Sequence, residues 1–378
     1  MKKMASGLLA AILALLLAAP VQAESLAVEA GACLLMEKTT GRVLYAVNEH
    51  EKLEPASVTK IMTILLVMEA IDSGTLHYDD MVTASAYACS MGGSQIWLKE
   101  NEQMSVEEML KAVCVASAND CSVALAEHLA GSADAFVEKM NQRASELGMA
   151  DTTFLNPTGL PVQGHVTSAY DIALMSRELI LNHPDIRNFT TIWMDSLRNG
   201  AFGLSNTNKL IRFYQGATGL KTGSTDSALY CLSATAERDG MELIAVILKS
   251  PTSTQRFESA KTLLNYGFAA YALAQAQPPE PLRPIQVEMG EAPSVMPVLQ
   301  GDPTILAAKE KVSGMEVSVQ LAEKLSAPVE AGQEVGRMTV VSGGETLAEL
   351  PLVAEKAVAR LTYWQILEKC LHMAFLGG

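Results

Sequence analysis

The chain has 378 residues, 49% hydrophobic, 19% charged and 5% aromatic, enough for a large core and more than one domain. Its formal net charge is -14, from 28 Lys and Arg against 42 Asp and Glu. No basic cluster is present to follow a phosphate backbone, so nucleic acid is not expected as a partner.

Lys2 and Lys3 precede an apolar run from Leu8 to Ala19, followed by Pro20-Val21-Gln22-Ala23. That run is too short to span a bilayer, and its charged start and small-residue exit predict a signal peptide over 1–23. The mature, exported chain then begins near Glu24. Ala32 to Met36 and Val43 to Val47 flank Thr39-Thr40-Gly41 and read as a hairpin. A helical section follows, with Ser105 and Glu108, then Ser168 and Asp171, spaced as capping boxes. Leu229 to Ala236 and Leu243 to Leu248 read as strands joined by a turn at Arg238-Asp239-Gly240, and Thr254 to Ala270 as a helix. Strands at both ends with helices between predict one α/β domain over 24–275, its antiparallel sheet built by the two chain ends. Pro278-Pro279-Glu280-Pro281 marks a linker, 276–284. Short runs punctuated by glycine predict a small all-β domain over 285–353, and 354–378 reads as an amphipathic helix. Its broad apolar face carries Tyr363, Trp364, Ile366, Leu367, Cys370, Leu371, Ala374 and Phe375, which predicts a membrane-surface anchor.

Six cysteines without CxxC spacing read mostly as small buried hydrophobes. Six histidines without an HExxH pair or a cysteine cluster give no metal-binding pattern, so neither metal nor cofactor is expected.

The chemistry concentrates in Pro55-Ala56-Ser57-Val58-Thr59-Lys60, which opens the apolar run Ile61 to Met68. Lys60 is the only charge between Glu54 and Glu69. An ammonium buried in such a helix loses solvation, and its pKa falls until it can serve as a base. Ser57 lies one helical turn earlier on the same face, at the helix start, where free N–H groups favour a developing oxyanion. A capping serine with a snorkelling lysine would leave the same spacing. Two further segments carry the argument: Ser117-Ala118-Asn119 between two helical runs, and Lys221-Thr222-Gly223 at the entrance to an apolar strand. A plain turn would account for either alone. S-x-x-K, S-x-N and K-T-G in that order resemble penicillin-binding proteins and serine β-lactamases.

Gly148 to Leu160, Asn206-Thr207-Asn208-Lys209-Leu210 and Arg256 to Lys261 narrow the resemblance to the low-molecular-mass, serine-type D-alanyl-D-alanine carboxypeptidases (peptidase family S11). The resemblance implies a β-lactamase/transpeptidase-like domain followed by the small β domain. The implied substrate is a peptidoglycan stem peptide ending in D-Ala-D-Ala, with β-lactams as inhibitors, at the outer face of the cytoplasmic membrane. It also implies Ser57 as acyl-forming nucleophile, Lys60 as general base and Ser117 as proton relay to the leaving D-alanine. Asn119 would hold the substrate's peptide amide, and Lys221 and Thr222 its terminal carboxylate. Gly223 would let the substrate lie along the strand edge. Backbone N–H groups of Ser57 and Ser224 would form the oxyanion hole, and Arg256 would add positive potential near the carboxylate.

Two departures stand out. Ser224 occupies a position where some members carry histidine. Glu178-Leu179-Ile180-Leu181-Asn182 matches the E-x-x-L-N pattern of class A β-lactamases, but it falls late in a helix opened at Ser168, so Glu178 reads as an exposed helix residue. The alternatives are a β-lactamase of the same fold and a non-catalytic penicillin or peptidoglycan sensor.

Overall fold

The computed structural model describes residues 26–376; the expected signal peptide, 1–23, lies outside them. In chain order the first unit comprises β1 (Ala32–Glu37), β2 (Val43–Val47), α1 (Lys60–Asp72), α2 (Val106–Ala116), α3 (Asn119–Ala130), α4 (Ala133–Glu146) and α5 (Ala169–Asn182). It continues through β3 (Met194–Leu197), β4 (Phe202–Ser205), β5 (Ala217–Thr225), β6 (Leu229–Arg238), β7 (Met241–Ser250) and α6 (Ser253–Ala270).

The main sheet runs β2-β1-β7-β6-β5, antiparallel throughout, so the two ends of the unit do meet in one sheet. Arg238 faces Met241 across a two-residue turn in which Asp239 and Gly240 both have positive φ, 51° and 77°. Such a turn twists with the flanking strands, which is why an Asp-Gly pair closes hairpins. Alternation along the central strands serves two cores. Leu34 and Met36 of β1 with Ile244, Val246 and Leu248 of β7 face the helical layer. Cys33, Leu35, Leu243, Ala245 and Ile247 face Phe257, Leu263 and Leu264 of α6. Buried on both sides, β7 reads as one continuous apolar run.

Ser105 and Ser168 cap α2 and α5, each hydroxyl accepting a backbone N–H three residues on. All six cysteines are free; four are buried, Cys89 is half-buried and Cys370 exposed. The strand that matters most for the site was not expected from the sequence, and neither were β3 and β4. Lys221-Thr222-Gly223 lies inside the nine-residue edge strand β5, with Lys221 opposite Ser233 and Gly223 opposite Cys231. Its glycines and hydroxyl residues give no apolar alternation, so pairing with β6 forms the strand where local propensity does not.

In the second unit β8 (Tyr271–Gln275) follows α6 directly and pairs with β9 (Thr304–Ala308). This pairing joins 271–275 to residues beyond the proline stretch, while Tyr271, Leu273 and Leu306 also pack against the α6 core. A four-stranded sheet joins Pro297–Leu299 to β12 (Glu345–Ala354), β11 (Glu334–Ser342) and β10 (Met315–Leu321), over a core including Met338, Val340 and Leu352. The terminal helix starts later than expected: α7 spans Tyr363–Leu376. Val358 is buried and exchanges backbone hydrogen bonds with Val329, while Glu291 N–H donates to the Ala359 carbonyl, so 358–360 is held against the β unit. Thr362 then accepts the Gln365 N–H as an N-cap.

Candidate active site

Ser57 sits half-buried in the 3-10 turn Ala56–Thr59 that leads into α1. Behind it, Ile61, Met62, Ile64, Leu65, Val67 and Met68 are all buried, so α1 runs through the core and carries Lys60 in with it. The Lys60 ammonium position has three partners: Thr158 O at 2.7 Å, Asn119 Oδ1 at 2.6 Å and Ser57 Oγ at 2.9 Å. Two of these only accept. A neutral amine has two hydrogens, which the carbonyl oxygens of Thr158 and Asn119 take, leaving its lone pair for the Ser57 hydroxyl. Burial pushes the Lys60 pKa well below the ordinary lysine value; nearby Lys221 pushes the same way and Asp120 opposes both.

The 156–160 loop presents the Thr158 carbonyl. Asn156 Oδ1 accepts from the N–H of Thr158 (3.1 Å) and of Gly159 (2.7 Å). Gly159 has φ +81°, and a Cβ there would lie 1.8 Å from the Ala56 carbonyl oxygen, beside the nucleophile turn. His165 braces the same turn: its Nδ1 accepts Leu155 N–H (3.0 Å), so its Nε2–H donates to Thr59 Oγ1 (2.8 Å). Burial pushes the His165 pKa down to about 4, which keeps that tautomer neutral.

Ser117 terminates α2 in the left-handed region (φ 63°), and its hydroxyl accepts from Lys221 Nζ at 2.9 Å. Asn119 opens α3 with its amide engaged at both ends, Oδ1 on Lys60 and Nδ2 donating to Gly92 O at 2.6 Å. Asp120 was not singled out from the sequence. Its buried carboxylate accepts the N–H groups of Ile96 (3.1 Å), Leu98 (3.1 Å) and Cys121 (2.9 Å), which fixes the 94–98 segment beside Asn119. An Asp next to S-x-N was the only available signal, and its partners are non-local.

On β5 the Lys221 amine also donates to Thr222 O, and burial pushes its pKa down to about 7, with Cys114 opposing and Arg256 assisting. Thr222 Oγ1 donates to Thr207 Oγ1 (2.7 Å), and Asn208 Nδ2 to the Gly219 carbonyl (2.8 Å), so the Asn206-Thr207-Asn208 segment clamps the strand. Gly223 has a reason the sequence did not reveal. A Cβ there would meet Pro55 O and Ser57 N at 2.8 Å and Val58 N at 2.9 Å, so its hydrogen lets β5 lie against the nucleophile turn. Ser224 follows, exposed.

Arg256 is buried against β5, donating to the carbonyls of Gly223 (3.1 Å) and Cys231 (3.2 Å) and packed over Phe257 and Tyr230. Its charge is near enough to help lower the Lys221 pKa. One expectation is corrected. Glu178 is half-buried and accepts from Arg143 Nη2 at 2.7 Å, in a network that also takes in Glu69. Glu69 is nine residues past Lys60 on α1, about 13 Å along the axis, so this carboxylate belongs to the end of the helix remote from Ser57.

The three motifs thus converge: Lys60 on Ser57 and Asn119, Ser117 on Lys221, and Gly223 against Ser57. The sequence profile described as D-alanyl-D-alanine carboxypeptidase, peptidase S11, matches residues 19–252. The chain belongs to this family. The profile of the penicillin-binding protein 5 C-terminal domain matches residues 279–360. D-alanyl-D-alanine carboxypeptidase DacF of Bacillus subtilis is 40% identical over 383 aligned positions, covering 98% of each chain. Escherichia coli DacC is 32% identical over 90% of this chain and 87% of its own. Penicillin-binding protein 5 from Haemophilus influenzae superposes with TM-score 0.81 at 30% identity, over 90% of this chain and 100% of that one. Penicillin-binding protein D2 from Listeria monocytogenes, solved with ampicillin bound, has TM-score 0.57 at 35% identity, over 65% of this chain and 100% of that one. The protein is accordingly a hydrolase of the D-alanyl-D-alanine carboxypeptidase type, with the penicillin-binding fold and its additional β domain, and works in the bacterial cell envelope.

Proposed function

We propose that the Ser57 cleft removes the terminal D-alanine from peptidoglycan stem pentapeptides through an acyl-enzyme. Lys60 takes the Ser57 proton as Oγ attacks the penultimate D-alanine carbonyl, and the N–H groups of Ser57 and Ser224 receive the oxyanion. The C–N bond breaks, Ser117 relays a proton to the departing amine, and water then cleaves the ester. Lys221 and Thr222 hold the terminal carboxylate, and Asn119, besides orienting Lys60, has one Nδ2 hydrogen left for the substrate's peptide carbonyl. Gly223 keeps strand and nucleophile together. A β-lactam acylates the same serine. The observation that carries this reading is the Lys60 amine, with two acceptor-only partners and its third contact on Ser57. Free D-alanine from a D-Ala-D-Ala peptide and labelling by a fluorescent penicillin are the measurements. Ser57→Ala should lose both while keeping its melting temperature; labelling at the parent rate contradicts the assignment.

We further propose that residues 1–23 direct export, that 24–275 form the catalytic domain, and that the β domain carries it on the outer face of the cytoplasmic membrane. Tyr363 and Trp364 are 72% and 74% exposed on α7, with Leu367 and Leu371 also exposed, which supports a helix lying in the interface. Among the described residues no helix is long and apolar enough to cross a membrane. The clean cut is after Thr362, since Val358 is buried in the β domain. The full mature chain should sediment with lipid vesicles at high salt and the cut chain should not; equal sedimentation contradicts the anchor.

A further inference from the structure

Trp97 leaves its indole 64% exposed while its surroundings hold it still. Ile96 and Leu98, on either side, are buried with both N–H groups on the Asp120 carboxylate, and the Trp97 backbone has φ 55°. The Phe202 ring stands edge-on to the indole at 5.7 Å, with the Arg198 guanidinium 5.6 Å from the Phe202 centroid. Arg198 is itself tied to Glu102 (2.7 Å) and to the Ile96 carbonyl (2.9 Å). These residues line a groove of about 660 Å³ whose rim carries Lys99, Glu100 and Asn101, all exposed.

Two short stretches of chain link the groove to the Ser57 cleft. Asn119 N–H donates to the Ser94 carbonyl at 2.7 Å, three residues before Trp97. Phe202 begins β4, and two residues beyond that strand lies Thr207, the hydrogen-bond partner of Thr222. A preorganised indole beside carboxylate, amide and ammonium groups suits a pyranose ring, which offers a C–H face for stacking and a rim of hydroxyl and acetamido groups.

We propose that this groove is a glycan subsite, taking the N-acetylated amino sugar that bears the stem peptide being trimmed. The proposal rests on the carboxypeptidase reading of the Ser57 cleft. Reach is consistent with it. Four stem residues separate the scissile carbonyl from the sugar, roughly 13–14 Å when extended, and three residues of chain, at most about 11 Å, separate Trp97 from the Ser94 contact on Asn119. The sugar binds the 97–102 rim while the peptide enters the cleft past Asn119, so the glycan strand sets which stems are presented.

The test compares D-alanine release from a free pentapeptide with release from the same pentapeptide on its disaccharide. The parent protein should favour the disaccharide-linked substrate by about fivefold in kcat/KM, mostly through KM, the size of one aromatic stacking contact. Trp97→Ala should lose most of that preference, and Trp97→Phe should keep part of it. No preference in the parent, or an equal loss on both substrates in Trp97→Ala, overturns the subsite; the latter would place a stem residue, not a sugar, on the indole. A second readout is independent of turnover. The disaccharide without peptide, at millimolar concentration, should quench the tryptophan fluorescence of the parent but not of Trp97→Phe, and absence of quenching in the parent overturns the proposal. Failure of the parent to release D-alanine from either substrate would contradict the carboxypeptidase reading instead.

Discussion

The two units bury different things. Around the Ser57 cleft lie Lys60, Asn119, Asp120, Lys221 and Thr222, all buried. In the β unit, among the described residues, Ser342 is the only buried polar side chain; the core is Met338, Val340, Leu352 and their neighbours. A buried polar group is destabilising unless it is fully partnered, so a fold that needs only stability keeps such groups out. The first unit also buries polar groups elsewhere, such as Glu37, Ser176 and Glu242, but those at the cleft surround the half-buried Ser57, and that is where binding and proton transfer can be done. The dry second unit is a scaffold.

The largest effect should come from breaking the contact between strand and nucleophile. Gly223→Ala brings a Cβ to 2.8 Å from Pro55 O and Ser57 N, both backbone atoms that cannot swing aside. β5 must separate from the turn, and penicillin acylation should fall by about 100-fold or more, as small displacements of reacting groups do. Acylation within about threefold of the parent would show that β5 does not have to touch the turn. The scaffold should respond the opposite way. Met338→Ala removes a fully buried side chain and should destabilise the β unit by about 2–5 kcal/mol in denaturant unfolding. Its acylation rate should match the parent; a parallel loss would mean that the two units are energetically one.

That contrast also decided what the sequence could reveal. Ser57 and Lys60 were legible because helical spacing and an unbroken apolar run are local properties. The β6–β7 hairpin was legible because Asp239-Gly240 supplies two positive φ angles. β5 was not, since Gly219, Gly223 and the hydroxyl residues around them carry no period, and its partner β6 makes it a strand. Asp120 and Thr158 were passed over because what gives them a role, the 94–98 amides and the Lys60 amine, comes from distant chain. The helical end was read as starting at 354, before Val358, because one buried valine pairing with Val329 leaves no local mark.

A smaller effect separates the carboxypeptidase from a β-lactamase built on the same fold. Glu178→Gln removes one charge from the partly buried Arg143 network and should lower stability by about 1 kcal/mol. The lifetime of the penicilloyl-enzyme, followed by loss of the bound label, should not change. A much longer lifetime would make Glu178 a deacylating base after all.

The most direct test of Lys60 as the base is the rate of Ser57 acylation by a fluorescent penicillin across pH, in the parent and in Lys60→Arg. Burial lowers the Lys60 pKa, so the rate should fall as pH drops through that depressed value and the amine takes up a proton. Lys221, pushed down to about 7, loses its charge as pH rises, so carboxylate binding should weaken on the alkaline side. Saturating ligand should move that limb upward, because the bound carboxylate favours the ammonium. The prediction is a bell-shaped second-order rate in the parent and near-complete loss in Lys60→Arg, whose guanidinium stays charged. A rate that climbs steadily towards the pKa of an ordinary lysine, or an Arg variant that still acylates at neutral pH, would contradict it.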